Sequence, residues 1–294
     1  MQRKTIWASK TLVGSLVLIS TAAIALSLHM PLHAQSNNTP MPDLIVRGDK
    51  LAQQWVVRDE KLDATLCSVE EGGITPGTHR IIRFTVMTPN IGNADIALGD
   101  PNAHVAANDG LYEFATCHHH YHFRHYALYQ LIDPQTGTVW KAAKKGFCML
   151  DTDPNPDWLD GVPPKNHEFR SCGAIGIPGN QGISSGWADT YRFFLGGQYF
   201  VLDGGDGQPV VPPGNYIIRI TVNPGFVPQN GEPCRYADPN HPGVCHQLPE
   251  SNYENNVAEV PVTIPDHPGK GGSGPAAGSI VQSDEADEHG DKIK

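Results

Sequence analysis

The sequence predicts a mainly-β protein, a β-sandwich with long loops and little helix. Thirty-one glycines and 25 prolines among 294 residues, with 18% of residues charged, reverse the balance that a helical bundle or coiled coil needs. Short runs mixing β-branched and aromatic residues recur between clusters of Gly, Pro, Asn and Asp. These runs do not alternate with long helical patterns, which argues against a βαβ parallel sheet. A hydrophobic content of 39% over this length suffices for a sizeable core.

Residues 1–34 read as an export signal: Arg3, Lys4 and Lys10 open it, an apolar run follows over 11–28, and Leu32-His33-Ala34 offers a small residue for cleavage. The alternative is an uncleaved anchor, because the run approaches the length that begins to span a bilayer. Export predicts a secreted protein, extracellular or periplasmic, that meets a membrane only if this segment is retained. Residues 35–41 then form a linker and 42–265 the folded domain. Within it, strands are expected at 43–46, 80–87, 126–132, 191–195, 216–222 and 257–264, with a weak helical pattern only at 50–58. Residues 266–294 are Gly, Ser and Ala followed by an acidic run at 284–288. They lack the apolar side chains for a core and read as a disordered, solvated tail.

The formal charge is −10, and removing residues 1–34 takes away three cations and no anion. Nucleic acid is therefore excluded as a partner, since tracking phosphates needs Lys and Arg to displace counterions, and a cationic partner fits better. Six cysteines in an exported chain imply three disulfides. Spacing alone favours one of them, Cys234 with Cys245, across a Pro/Asn/Gly-rich excursion. Cys117, beside a run of histidines, reads as a bridging cysteine and not as a metal thiolate.

Five of the 14 histidines lie within Cys117-His118-His119-His120-Tyr121-His122-Phe123-Arg124-His125. A helix cannot converge His118, His120 and His122, because residues two apart point about 200° apart. A strand has a side-chain period of two and sets all three on one face. The outer pair would sit roughly 13 Å apart on an extended strand, so the segment must curl or end in a turn for three rings to reach one ion. Imidazole donors suit copper, zinc, iron or nickel, and the spacing does not choose among them.

These residues resemble the lysyl oxidase family, whose C-H-x-H-Y-H motif is matched by Cys117 to His122, with His125-Tyr126 answering a later H-Y pair after a shorter gap. Lys144-Lys145-Gly146-Phe147-Cys148 with Leu150-Asp151-Thr152 is similar to the family's H-K-A-S-F-C-L-E-D-T, and Gly186-Trp187-Ala188-Asp189-Thr190-Tyr191 to its G-C-Y-D-T-Y. Pro213-Gly214-Asn215-Tyr216, Val222-Asn223-Pro224 and the run from Glu250 to Val257 follow in the family's order. The resemblance covers roughly residues 42–264 and implies a lysyl-oxidase-like β-sandwich. It departs at Ala115, where the family has a histidine, and at four family cysteines that are missing, one of them answered by Trp187.

The resemblance implies copper on His118, His120 and His122, and a lysine tyrosylquinone cofactor made from Lys144 and Tyr191. Asp189, two residues before Tyr191 and so on the same strand face, is the candidate general base. The implied disulfides are Cys67–Cys117, Cys148–Cys172 and Cys234–Cys245. Asp43, Leu44, Glu250, Asn252, Asn255 and Asn256 resemble family positions that hold calcium, although an Asn-rich turn explains the last four equally well. The implied activity is oxidation of a primary amine, whether a small amine, a polyamine or a protein lysine, by O2 to an aldehyde, ammonia and hydrogen peroxide. The rival reading is a non-enzymatic metal-binding cell-surface module, because Asn90 to Asp95 and Tyr253 to Asn256 also resemble segments of bacterial adhesion domains. Lys144 and Tyr191 discriminate, since such a module has no need of them.

Overall fold

The computed structural model describes residues 39–158, 164, 166–205, 207–229, 232–269, 279–283 and 285. The expected export signal therefore lies outside the described residues. In chain order the elements begin with α1 (Gly48–Gln53), β1 (Trp55–Leu62), α2 (Cys67–Glu70), β2 (Gly77–Phe84), β3 (Val86–Pro89), β4 (Ile96–Gly99) and α3 (Pro101–Ala107). There follow β5 (Tyr112–Ala115), β6 (His120–Phe123), β7 (Ala127–Ile132), β8 (Val139–Lys141), β9 (Asp153–Pro154), β10 (Gln181–Ile183) and β11 (Trp187–Tyr191). The last are β12 (Tyr199–Val201), β13 (Gly214–Val222), β14 (Tyr236–Ala237), β15 (Cys245–His246), β16 (Val257–Ile264) and β17 (Ile280–Gln282). The fold is mainly β, as the composition predicts.

Two four-stranded sheets, in the orders β12-β2-β1-β17 and β16-β13-β7-β8, share one apolar core. The alternation of β13 turns Tyr216, Ile218, Ile220 and Val222 inward, and its antiparallel partner β16 does the same with Val260, Val262 and Ile264. From the other sheet, Phe84 stacks on Phe200 at 4.9 Å and meets Tyr129 of β7 edge-on at 5.5 Å. Each buried aromatic side chain contributes about 1.5–3 kcal/mol through burial alone. A smaller sheet, β3-β11-β9, and the β5-β6 hairpin complete the surroundings of the histidines and Tyr191.

The strands expected at 80–87, 126–132, 216–222 and 257–264 are present with shifted ends, the first divided between β2 and β3, whereas those expected at 43–46 and 191–195 are not. Around Leu44 the chain makes an isolated bridge to Asn90 and short backbone bonds to Pro89 and Met87, and forms no longer strand. The helical pattern expected through Arg58 stops at Gln53, because Trp55, Val56 and Val57 are better strand formers and pair in register with β2. Tyr191 ends a strand where it was expected to begin one, since Arg192 to Leu195 form a turn closed by a Leu195 N–H to Arg192 C=O bond.

The tail departs most from its expected solvated state. β17 adds parallel to β1 at Asp59 to Lys61, and Glu285 lies against the buried Arg83 guanidinium at 3.0 Å. An unused sheet edge and a buried cation supply what the tail's own composition lacks. The three disulfides are those the resemblance implied: Cys67–Cys117, Cys148–Cys172 and Cys234–Cys245.

Candidate active site

The histidines stand on a hairpin. β5 and β6 pair Glu113 with His122 and Ala115 with His120, so those two imidazoles emerge from one strand two residues apart. His118 precedes the strand, in a turn whose next residue, His119, adopts φ +57°. That left-handed turn supplies the curl the spacing requires. The ring centroids then lie 5.0 Å apart for His118–His122 and His120–His122, and 5.5 Å apart for His118–His120. Donor atoms of His118, His122 and Glu71 lie within 4.8 Å of one another, while His120 is near by ring position only and outside that group; imidazole donors of this kind fit a transition ion.

The turn is held from outside by α2. Cys67 opens that helix and bridges to Cys117; closing a loop of 50 residues stabilises the fold by about 4 kcal/mol in the chain-entropy picture. At the other end of the helix, Glu71 accepts the Cys117 N–H at 2.6 Å and lies 2.7 Å from His118 Nδ1. A carboxylate accepts, so Nδ1 donates to it and Nε2 is the nitrogen left for a metal, the arrangement by which carboxylates orient ligating histidines. Sequence reading missed Glu71, since nothing in the Ser68-Val69-Glu70-Glu71 stretch marks which carboxylate folds back.

Gly146 sits against the ring of His122. A Cβ there would lie 2.3 Å from Nδ1, so only glycine lets the Lys144–Phe147 segment pass this close. That segment delivers Lys144, whose Nζ lies 5.0 Å from the centroid of the Tyr191 ring. Tyr191 is buried at the end of β11, donates its hydroxyl to the Cys148 carbonyl at 2.9 Å and meets Phe147 edge-on at 5.1 Å. A Cβ on Gly197, at φ +72°, would lie 3.2 Å from the Lys144 backbone. A cavity of about 380 Å³ is lined by His118, His122, Lys144, Glu71 and Gly197 among others.

Asp189 is buried on β11 beside Tyr126 and Tyr129, whose hydroxyls are pushed well above their ordinary range by burial and then by this carboxylate. It does not line that cavity. Ala115, where the resemblance lacks a histidine, is buried opposite His120.

Five of the six expected calcium positions converge elsewhere, where the first described residues meet the β13–β16 connection. Glu250 accepts from the Leu44 N–H (2.6 Å), Asn223 (2.6 Å) and Asn256 (2.8 Å), while Asn255 donates to Asp43 at 2.9 Å. Burial is the largest influence on Glu250 and pushes its pKa up to about 7 against those hydrogen bonds. The carbonyl oxygens of Asn255 and Asn256 are buried without a hydrogen-bond partner. Those spare oxygens fit a hard cation. Asn252 stands apart, exposed and capping the Glu254 N–H.

A family model described as lysyl oxidase matches residues 42–231. The chain is 25% identical over 239 residues to protein-lysine 6-oxidase of Rattus norvegicus, covering 77% of this chain and 47% of that protein. The same identity and length relate it to the Sus scrofa protein of that name, of which 78% is covered. Lysyl oxidase homolog 3 of Homo sapiens is 28% identical over 197 residues, covering 63% of this chain and 23% of that one. The chain spans about half the length of the rat protein-lysine 6-oxidase. Since the matched span runs through the histidine hairpin, Lys144 and Tyr191, the chain belongs to the lysyl oxidase family.

Proposed function

We propose that this protein is an exported copper- and quinone-dependent amine oxidase that takes primary amines. The observation carrying the reading is the approach of Lys144 Nζ to 5.0 Å from the Tyr191 ring, beside the cavity shared by His118 and His122. A lysine held over a buried tyrosine next to three converging imidazoles is what a lysine tyrosylquinone requires of its precursors. Together with copper, that cofactor supplies oxidation of a primary amine to its aldehyde, with release of ammonia and hydrogen peroxide and O2 as the acceptor.

The chain's own residues have separate tasks in this reading. His118, His120 and His122 hold the metal, and Glu71 keeps the His118 proton on Nδ1. The Cys148 carbonyl anchors the Tyr191 hydroxyl until oxidation, and Phe147 and Tyr126 keep water from the ring. Asp189, two residues before Tyr191 on β11, is the proposed base for the substrate's α-carbon proton, although it lies buried off the cavity that His118 and Lys144 line. Calcium at Asp43, Leu44, Glu250, Asn255 and Asn256 would tie the start of the domain to its end. Substrates are small amines, polyamines or protein lysines, consistent with the name protein-lysine 6-oxidase carried by the relatives.

The test is copper reconstitution of the purified chain, followed by a redox-cycling quinone stain, peptide mapping and peroxide release with an alkylamine. A stained protein giving one cross-linked peptide of Lys144 and Tyr191, with turnover lost in His118→Ala, His120→Ala and His122→Ala, supports the reading. Unmodified Lys144 and Tyr191 peptides in copper-loaded, inactive protein would overturn it and leave the metal-binding surface module.

A further inference from the structure

Residues 232–254 lie beyond the span matched by the family model and carry a second convergence of donors. We propose that Asp238, His241, His246 and Glu254 form a metal site for a divalent transition ion of the zinc class, distinct from the histidine hairpin. This inference does not depend on the amine oxidase reading.

The local fold builds the site. Cys234–Cys245 and the β14–β15 ribbon close an excursion whose tip is the turn Asp238-Pro239-Asn240-His241. Asp238 Oδ1 accepts the N–H groups of Asn240 (2.8 Å) and His241 (3.0 Å), which accounts for that oxygen. Oδ2 faces two imidazoles, His241 Nδ1 at 3.1 Å and His246 Nε2 at 3.2 Å.

His246 is buried, and its Nδ1 lies 2.9 Å from the carbonyl oxygen of Asn223. A carbonyl only accepts, so Nδ1 donates there and Nε2 is the ring atom that faces the carboxylate. At 3.2 Å, Nε2 and Oδ2 hold either a proton or a metal ion between them. A carbonyl behind the far ring nitrogen is the arrangement that orients metal-ligating histidines.

The spacing admits a metal ion: Asp238, His241 and Glu254 each offer a donor atom within 4.8 Å of the others, and His246 Nε2 adds a fourth at 3.2 Å from Asp238 Oδ2. A tetrahedral zinc with ligands at about 2.0–2.2 Å sets its donor atoms roughly 3.3–3.5 Å apart. The separations are 3.1 and 3.2 Å around Asp238 Oδ2, and 3.5 Å from His241 Nδ1 to Glu254 Oε1. Two imidazole nitrogens with two carboxylate oxygens suit zinc or copper and are a poor set for calcium, which takes oxygen alone. Asp238 is almost closed off, whereas His241 and Glu254 are more than half exposed and leave a path for entry. An ion here would clamp the excursion to the turn after Glu250, where the Tyr253 ring already stacks on His246 at 3.7 Å.

Zinc is counted in the full-length, disulfide-intact chain loaded with copper and dialysed against zinc at about 10 μM. With copper limited to one equivalent per chain so that it does not compete, one zinc beyond the copper is expected, with affinity falling at least tenfold in His241→Ala and in Glu254→Gln. Both positions are exposed, so far-ultraviolet circular dichroism and copper content should stay unchanged. A parallel count on His118→Ala separates the two sites: zinc retained there supports the proposal, and zinc lost there overturns it. No zinc bound by the unsubstituted chain, or equal affinity in both exposed variants, would also overturn it.

Discussion

Glu60 and Glu250 are both buried carboxylates, and their surroundings treat them in opposite ways. Glu60 faces Arg83, which reaches both its oxygens at 2.7 and 2.9 Å and also donates to the carbonyls of Phe193 and Leu195. Burial pushes the Glu60 pKa up, but the guanidinium outweighs it and holds the carboxyl below its ordinary range. Glu250 meets only amides, and burial wins. A buried carboxylate opposite a guanidinium is satisfied within the chain. One surrounded by amides whose own oxygens are spare is complete only with a proton or a hard cation.

The largest effect expected from this contrast is that of Arg83→Met. It leaves Glu60 and Glu285 buried without their cation and should cost about 3–5 kcal/mol, read by denaturant unfolding. A loss below about 1 kcal/mol would mean that the pair is hydrated in solution.

Next comes the pH dependence of Glu250. Its folded pKa is near 7 against an unfolded value of 4.5, so between these the folded chain holds a proton that the unfolded chain has released. The stability this group contributes is therefore complete below pH 4.5 and lost as pH rises through 7, by about 3 kcal/mol without calcium. Calcium should restore it increasingly toward high pH, and Glu250→Gln should flatten the profile. Thermal unfolding at several pH values, with chelator and with calcium, checks both signs.

Glu71 is intermediate, paired with an imidazole whose charge the metal would supply. Glu71→Gln should weaken copper binding by about 10–100-fold, measured by competition with a chelator, and lower turnover at limiting copper while full loading recovers most of it. Failure of added copper to recover turnover would instead make Glu71 part of the chemistry. The smallest effect belongs to Arg192–Asp153, which pairs at 2.8 Å like the buried ions but with side chains 50% and 28% exposed. Arg192→Ala should change stability by less than about 1 kcal/mol, the difference from Arg83 being solvent.

Much of the candidate site was legible in the sequence, for reasons that differ by residue. Alternate spacing put His120 and His122 on one face of β6, because a strand's period is fixed by its backbone, whereas His118 joins them from the left-handed turn before the strand. The meeting of Lys144 with Tyr191, 47 positions apart, came only through the resemblance, since spacing carries no long-range information. Glu71 and Gly146 were invisible: one is an ordinary surface-type carboxylate and the other an ordinary loop glycine until a histidine ring lands beside them. The resemblance put Asn252 among the expected calcium positions, but its side chain accepts the Glu254 N–H in its own turn.

By itself the sequence determined what depends on local chemistry: a mainly-β chain, imidazoles of one parity at His120 and His122, and a turn-rich excursion closed by Cys234 and Cys245. Tertiary structure decided what depends on which distant surface lies opposite. It ended α1 at Gln53 because β2 offered Trp55–Leu62 a partner, and it drew Ile280–Gln282 and Glu285 out of an apparently solvated tail. It also gave Glu60 an arginine and Glu250 only amides. Composition cannot anticipate such choices, because an open sheet edge or a buried charge exists only after the rest of the chain has folded around it.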